Sequence, residues 1–510
     1  PKGRELLAVV QRNHWIYVPF YRAGSWSDGG GAVVSPVAGK EVLLSDKKWL
    51  QIVFTPTNKM KSFPEKRTKP GAFVEASPPL FASSLEVCVK KQPARFAKLA
   101  LSFPEDCFPG YISSVFYGLA NGAKPELPFD IGTACELMRK FYRNPNNGIG
   151  LSILHLIRQT VEADWPEEVL SIVIWLALYH PNPQGSSYNV HSQKDPQNQT
   201  LDTIKTSAMN CVRGQALFTL AALVANRSTW LNKVQHTVIE ASDDVNDSVR
   251  FAIPLLTSLF YPDDPDFCRS VIKKLIEKDF RIIGSQGFWY LLRQEFLAEP
   301  VYYRGLLIKG CQSEVDDVAE CAAGQLSATI LLFNDTILME WLQTHPLSHR
   351  QLEEVCKEAV DLFPKEEYRE RSETIIRYCA QTDTEHLSAL HHLIFEKQID
   401  LQQDKEFVLF LLASKQGAGL AHSFFRYLND AQLRGREYAA YLRALSSVPK
   451  DSSEWYYLDA SGFANSALRM LDNDQGDSEV IKMALDIWDE LYKNNLANIQ
   501  ELSTMLNNLE

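Results

Sequence analysis

Apolar segments long enough for one helix return through the middle of this chain at intervals of about three dozen residues, and that recurrence restricts the fold more than any other feature. The run Asn210 to Leu223 is similar to Asp247 to Leu259; Gly287 to Leu297 and Asp317 to Leu331 follow at comparable distances. With Val212, Val249, Phe288 and Val318 aligned, the steps are 37, 39 and 30 residues. Such a period holds two helices and two turns. One helix pair cannot bury its apolar face alone, so neighbours must stack into a continuous core that leaves long surfaces free for binding.

The fold expected from this is mainly α: a HEAT-like α-solenoid of stacked helix pairs behind a less regular N-terminal segment. Residues 1–80 are that segment, a linker from a domain upstream. They carry the glycine cluster Gly29, Gly30, Gly31 and prolines at Pro19, Pro36, Pro56, Pro64, Pro70, Pro78 and Pro79, which forbid long helices. Residues 81–200 form the first part of the array. Helical period marks Ala94–Ser102, Ile131–Tyr142, Ile149–Glu162 and Glu167–Tyr179. Asp164 before Trp165-Pro166-Glu167-Glu168 reads as a helix cap followed by a first-turn proline and first-turn acids. A polar loop, 181–200, ends this part; a loop that long inside a compact array is functional or disordered. Residues 201–335 are the HEAT-like repeats and 336–510 the C-terminal repeats and cap, closing with Ala467–Leu471 and Val480–Leu496.

The 510 residues carry 52 Lys+Arg against 63 Asp+Glu, net −11, and 45% apolar residues, which excludes a disordered chain. The balance is lopsided: residues 1–100 hold 16 basic and 7 acidic side chains, and the remainder is net −20. The basic set Lys47, Lys48, Lys59, Lys61, Lys66, Arg67 and Lys69 (within segment 40–69) reads as a solvated loop or a face docked on the acidic remainder. An acidic surface repels phosphate, so a nucleic-acid partner is not expected. The longest apolar run, Val169 to Tyr179, falls short of a membrane span, and no membrane partner is expected. Nine scattered cysteines without CxxC spacing suit reduced thiols in a cytoplasmic protein. The chain opens at Pro1 within a helix-like stretch, Arg4 to Gln11, and reads as part of a longer polypeptide.

The search for chemistry is negative. Gly24 and Gly29 have phosphate-loop spacing, but Gly30 occupies the lysine position; Gly148-Ile149-Gly150 and Gly417-Ala418-Gly419 lack a third glycine. Gly284-Ser285-Gln286-Gly287 is one residue short of a nucleophile elbow. His345 and His349 are separated by Pro346, and His386, His391 and His392 read as one helix on which His386 and His391 point apart. The pairs Asp243-Asp244, Asp263-Asp264 and Asp316-Asp317 read as capping acids in turns. No catalytic, cofactor-binding or metal-ligating residue is assigned.

Several segments together resemble the C-terminal half of large bacterial STAND-type NTPases, the NLR-like proteins of which many are associated with antiphage defence. They are Ser35-Pro36 with Leu44-Ser45-Asp46 and Trp49-Leu50; Pro93 to Ala120, the most distinctive; His180-Pro181-Asn182-Pro183; Asn210-Cys211-Val212-Arg213-Gly214; and Ser466 to Asn495. Glu320 departs from the pattern, standing where an arginine or glycine is more usual. The resemblance implies a nucleotide-switch domain upstream, with ATP and Mg bound there, and no cofactor in this region. It also implies a helical array that senses a trigger or holds the switch shut.

The expected function is therefore a non-catalytic sensor and regulatory region. It binds a protein trigger (phage-derived or other), acts on the NTPase domain of its own polypeptide, and assembles with further copies on activation. The alternative is a helical-repeat scaffold or adaptor for a host protein, without a switch. Contact with the trigger is expected from Tyr188, His191 and Lys194 in the polar loop and from Arg213 and Arg250 in the repeats. Asn210, Asp247 and Asp317 are taken as structural repeat positions, Asp247 capping a helix and Arg250 reaching a neighbouring acid.

Overall fold

A computed structural model describes residues 32–57, 72–74, 76–122, 129–184, 200–431, 433–447, 466–467, 469–470 and 477–493. The chain is mainly α-helical, with neighbouring helices packed on one another, and divides into two compact units, Pro1–Phe288 and Trp289–Glu510.

The first unit opens with a parallel pair of three-residue strands, β1 (Ala32–Val34) and β2 (Ala72–Val74), in register Ala32 to Ala72. Between them, in sequence, lies α1 (Asp46–Phe54), so this stretch does carry a helix of nine residues. Helices α2 (Pro78–Lys91), α3 (Pro93–Ala100) and α4 (Pro109–Asn121) each begin on a proline, whose missing N–H costs nothing in a first turn. Next come α5 (Ile131–Phe141), capped by Asp130, and α6 (Asn147–Gln159), capped by Asn146. In α5 the buried residues Ala134, Leu137, Met138 and Phe141 recur three or four apart, which is one helix face. Helix α7 (Glu167–Tyr179) starts after Pro166. Asp164 is not its cap: the carboxylate accepts from Arg227 at 2.8 Å, a partner 63 positions away.

Then follow α8 (Leu201–Asn210), α9 (Val212–Asn226), α10 (Leu231–Ala241), α11 (Asp247–Ser258) and α12 (Pro265–Lys278). Helix α13 (Gln286–Glu295) contains the division between the units. Packing in the first unit skips along the chain. Helix α2 packs on α4, α4 on α6, α6 on α9 and α9 on α11, while α3 packs on α5, α5 on α7 and α7 on α10. Helix α9 is apolar on nearly every side and buried accordingly, as a helix covered by α6, α7, α8 and α11 must be.

The second unit contains α14 (Pro300–Cys311), α15 (Asp316–Phe333), α16 (Thr336–Thr344), α17 (His349–Leu362) and α18 (Arg369–Gln381). It continues with α19 (Leu390–Phe395), α20 (Lys405–Ala413), α21 (Gly417–Asp430), α22 (Gly435–Ser446) and α23 (Ser478–Lys493). Helix α15 packs on α14 and α17, α17 on α18 and α19, α19 on α21, α20 on α21 and α22, and α22 on α23. Asn334 ends α15 in the left-handed conformation (φ 54°), and Ser348 with Gln351 forms a capping box at α17.

The four aligned positions fall alike. Val212 is the first residue of α9, while Val249, Phe288 and Val318 are the third residues of α11, α13 and α15. All four are fully buried. Eight of the nine cysteines are buried and all nine are free thiols. No single helix among the described residues is long and apolar enough to cross a membrane.

Candidate functional site

The turns that feed α9 and α11 gather most of the buried charge of the first unit. Asn182, at the start of the polar loop, accepts the Val212 N–H on its Oδ1 at 2.9 Å and the Arg213 N–H on its carbonyl at 3.2 Å. Its own N–H donates to His180 Nδ1 at 3.1 Å. Burial pushes the His180 imidazole down to about 4, so the ring is neutral. Arg213, 8% exposed, spends its guanidinium on three acceptors. Nε and Nη2 reach the two Asp244 carboxylate oxygens at 2.9 and 3.0 Å, and Nη1 reaches the His180 carbonyl at 3.0 Å. A planar fork suits that bidentate geometry.

Asp244 also accepts the Asn246 N–H at 2.8 Å on Oδ1 and, through its carbonyl, Nη1 of Arg250 at 2.6 Å. Asn246, not Asp247, caps α11, its Oδ1 accepting from the Ser248 N–H at 3.0 Å. Asp247 is the first helical residue, 3% exposed, with its carboxyl raised above the ordinary range chiefly by burial. Arg281 answers it at 3.1 Å and Asp279 at 2.7 Å. The cluster thus holds two ionic groups, Arg213 with Asp244 and Arg281 with Asp247 and Asp279, and the neutral His180 and Asn182 tie the first of them to the preceding turn.

Of the residues expected to meet a partner, Tyr188, His191 and Lys194 lie outside the described residues. Arg213 and Arg250 are turned inward and hold turns together. Asn210 ends α8 and donates from Nδ2 to the Thr206 carbonyl at 2.8 Å. Asp317 stands in the first turn of α15, where an acid complements the helix dipole. Sequence reasoning missed Asn182 and Asp244 as members of this cluster. The signal for Asn182 was the His180-Pro181-Asn182-Pro183 motif itself. For Asp244 it was the acidic pair with Asp243: the latter stays exposed, pushed down to about 2 by its hydrogen bonds to Lys274 and Lys278, while Asp244 is drawn inside. Beside exposed charged groups, the same elements also turn apolar side chains outward: Tyr179, Ile239 and Val245 are 56%, 47% and 69% exposed.

Cross-turn ion pairs recur in the second unit. Arg304 pairs with Asp335 at 2.7 Å and Arg369 with Asp404 at 2.6 Å. Glu320, the departure from the family pattern, meets Arg350 at 3.4 Å on an exposed face. A groove of about 640 Å³ opens between α15, α16 and α18, lined by Ile330, Asp335, Met339, Glu340, Glu370 and Arg371 among others. Among the described residues no group of three or more His, Cys, Asp or Glu side chains is arranged to hold a metal ion. No protein-family model matches the chain, and no curated protein matches it.

Proposed function

We propose that this chain is a HEAT-like α-solenoid that binds another protein, acting as the sensor and regulatory region of a larger bacterial defence NTPase. The observation that carries the solenoid reading is the recurrence of turn-locking ion pairs at nearly one repeat length: Arg213 to Asp244 and Arg304 to Asp335 span 31 positions, Asp247 to Arg281 34, and Arg369 to Asp404 35. Arrays locked in that way present their surfaces, and binding is what surfaces of this kind do. The trigger is a protein that docks on the polar loop 181–200, through Tyr188, His191 and Lys194, and on the adjacent apolar residues Tyr179, Ile239 and Val245. The regulatory reading rests on the segment resemblance. It places ATP and Mg in an upstream domain, assembly of copies after activation, and the cytoplasm as the site of action. Differential affinity for the active conformer, a few kcal/mol, is enough to throw such a switch.

Two measurements test this. The coding sequence preceding Pro1 is expected to contain a phosphate-loop motif; a start codon within a few residues would replace the sensor by a plain adaptor. In the whole protein, ATP hydrolysis is expected to rise with the trigger and to lose that response when Tyr179 and Val245 are changed to Ser and loop 185–199 is deleted. An unchanged response would sink the assignment of the surface.

A further inference from the structure

The basic excess of the first hundred residues, 16 basic against 7 acidic side chains, plays no part in the docking surface proposed above. Among the described residues from Ala32 to Ala100 there are three carboxylates. Glu41 is buried, Asp46 is answered by Arg95 at 2.6 Å, and Glu86 by Lys90 at 2.7 Å. Lys40, Lys47, Lys48, Lys91 and Lys98 are all exposed and have no carboxylate partner among the described residues.

Arg95 gathers these lysines. Its Nε donates to Asp46 at 2.7 Å and its Nη2 to the Leu44 carbonyl at 2.8 Å, which pins the start of α1 to the start of α3. Lys47 and Lys48 directly follow Asp46. Lys91 ends α2 four positions before Arg95, and Lys98 stands one turn after it on α3. Apolar side chains stand exposed among them. Helix α1 turns Trp49 and Val53 into the core, so its outer face carries Lys47, Lys48 and Phe54, the last 56% exposed. Seven residues make two turns, which sets Phe54 about 10 Å along the axis from Lys47 on the same side. Leu43, in the 3₁₀ turn between Lys40 and Lys47, is 84% exposed.

Lysines without counter-charges call for a polyanion, and the apolar side chains decide which one. A nucleic-acid strand supplies phosphates, but its bases want a stacking ring where this face carries the aliphatic Leu43. An acidic protein would have to place a matching apolar hollow beside its carboxylates. A fluid leaflet with anionic lipid needs no matching hollow: phosphates lie at its surface and hydrocarbon begins a few ångströms beneath. We propose that this face docks peripherally on an anionic lipid surface, the five lysines at the headgroups and Leu43 and Phe54 in the acyl boundary. The expectation of no membrane partner rested on the lack of a spanning segment, which a surface contact does not require. Lysine stems are long, so the ammonium groups stay at the headgroups while the apolar tips enter.

Cosedimentation of the whole chain with vesicles tests this. With about one third phosphatidylglycerol in phosphatidylcholine the protein is expected to pellet, and with phosphatidylcholine alone to stay in solution. Raising the salt from about 0.1 M to about 0.5 M is expected to weaken binding about tenfold, because exposed charges are screened. The variant K47E/K48E puts acids in the first turn of α1, where the helix dipole favours them, so it is expected to fold and to lose about tenfold or more in vesicle affinity. L43S/F54S is expected to lose about tenfold while keeping the salt dependence. Failure of the wild type to pellet with anionic vesicles overturns the proposal, and so does undiminished binding by K47E/K48E. Full binding by L43S/F54S overturns it too, since charge alone would then account for the contact. A wild type that binds a single-stranded oligonucleotide but not the vesicles assigns the face to nucleic acid instead.

Discussion

The two units lock their turns with different chemistry. In the first, the turn between α10 and α11 is held by Arg213–Asp244 and Arg281–Asp247, with Asp247 almost wholly desolvated. The buried His180 imidazole in the same cluster, pushed down to about 4, stabilises the fold above about pH 6.5 and loses that contribution as the pH falls towards 4. The second unit also has buried arginine pairs, but the turn before α19 is held by the His386–His391 contact, by Gln416 and by the Glu353 carboxylate. On α17, burial and the nearby Asp361 push the Glu358 carboxyl up to about 7. Paired opposite charges thus carry the turn in the first unit, whereas the turn before α19 is held by side chains of several kinds.

The strongest way to break the first lock is Arg213→Met, which strands the Asp244 carboxylate in a desolvated turn. A loss of about 3–5 kcal/mol by denaturant titration is expected, since breaking one side of a buried pair leaves a charge uncompensated. A loss below about 1 kcal/mol would mean that Asp244 relaxes into water. Next in size is Gly287→Ala. The Cβ would lie 2.0 Å from the Leu255 nitrogen and 2.1 Å from the Pro254 carbonyl carbon, backbone that cannot step aside, so about 3 kcal/mol should go.

The second unit is sharpened by Glu358→Gln, and here the effect reverses. The folded-state pKa is raised, so the wild-type carboxyl destabilises the fold increasingly as the pH rises from about 4.5 to about 7, and fully above that. The variant should be more stable by about 1–2 kcal/mol at pH 8, and the gain should vanish below about pH 4.5. A gain independent of pH would assign the effect to packing. The smallest change is expected from Arg139→Ala. Its two hydrogen bonds to Glu168, both 2.6 Å, are as good in geometry as those of Arg213, but the pair stands in solvent. No measurable shift in the denaturation midpoint should follow, because exposed pairs are screened and entropically costly.

Helix positions were legible because their causes are local. The expected spans Glu167–Tyr179 and Ile131–Tyr142 differ from the observed helices by one residue at most, since apolar spacing and end residues decide both. The alignment of Val212, Val249, Phe288 and Val318 picked out four buried residues near helix starts for the same reason: a residue there that must be apolar leaves its mark in the local sequence. Partner choice was not legible. Asp164 looked like a cap and is claimed by Arg227; Asp247 looked like the cap of α11, and Asn246 takes that place. His386 looked like a helical neighbour that faces away from His391, because a period of 3.6 was extended one turn too far.

Alone, then, the amino-acid order determined where helices lie, which faces are apolar and that charge is uneven along the chain, because those properties arise within a few neighbouring residues. Which arginine meets which aspartate, which partner an imidazole finds and which side chain is left facing outward were decided only by the packing of the helices. Those outcomes depend on distances between segments some thirty positions apart, and nothing in the local pattern encodes them.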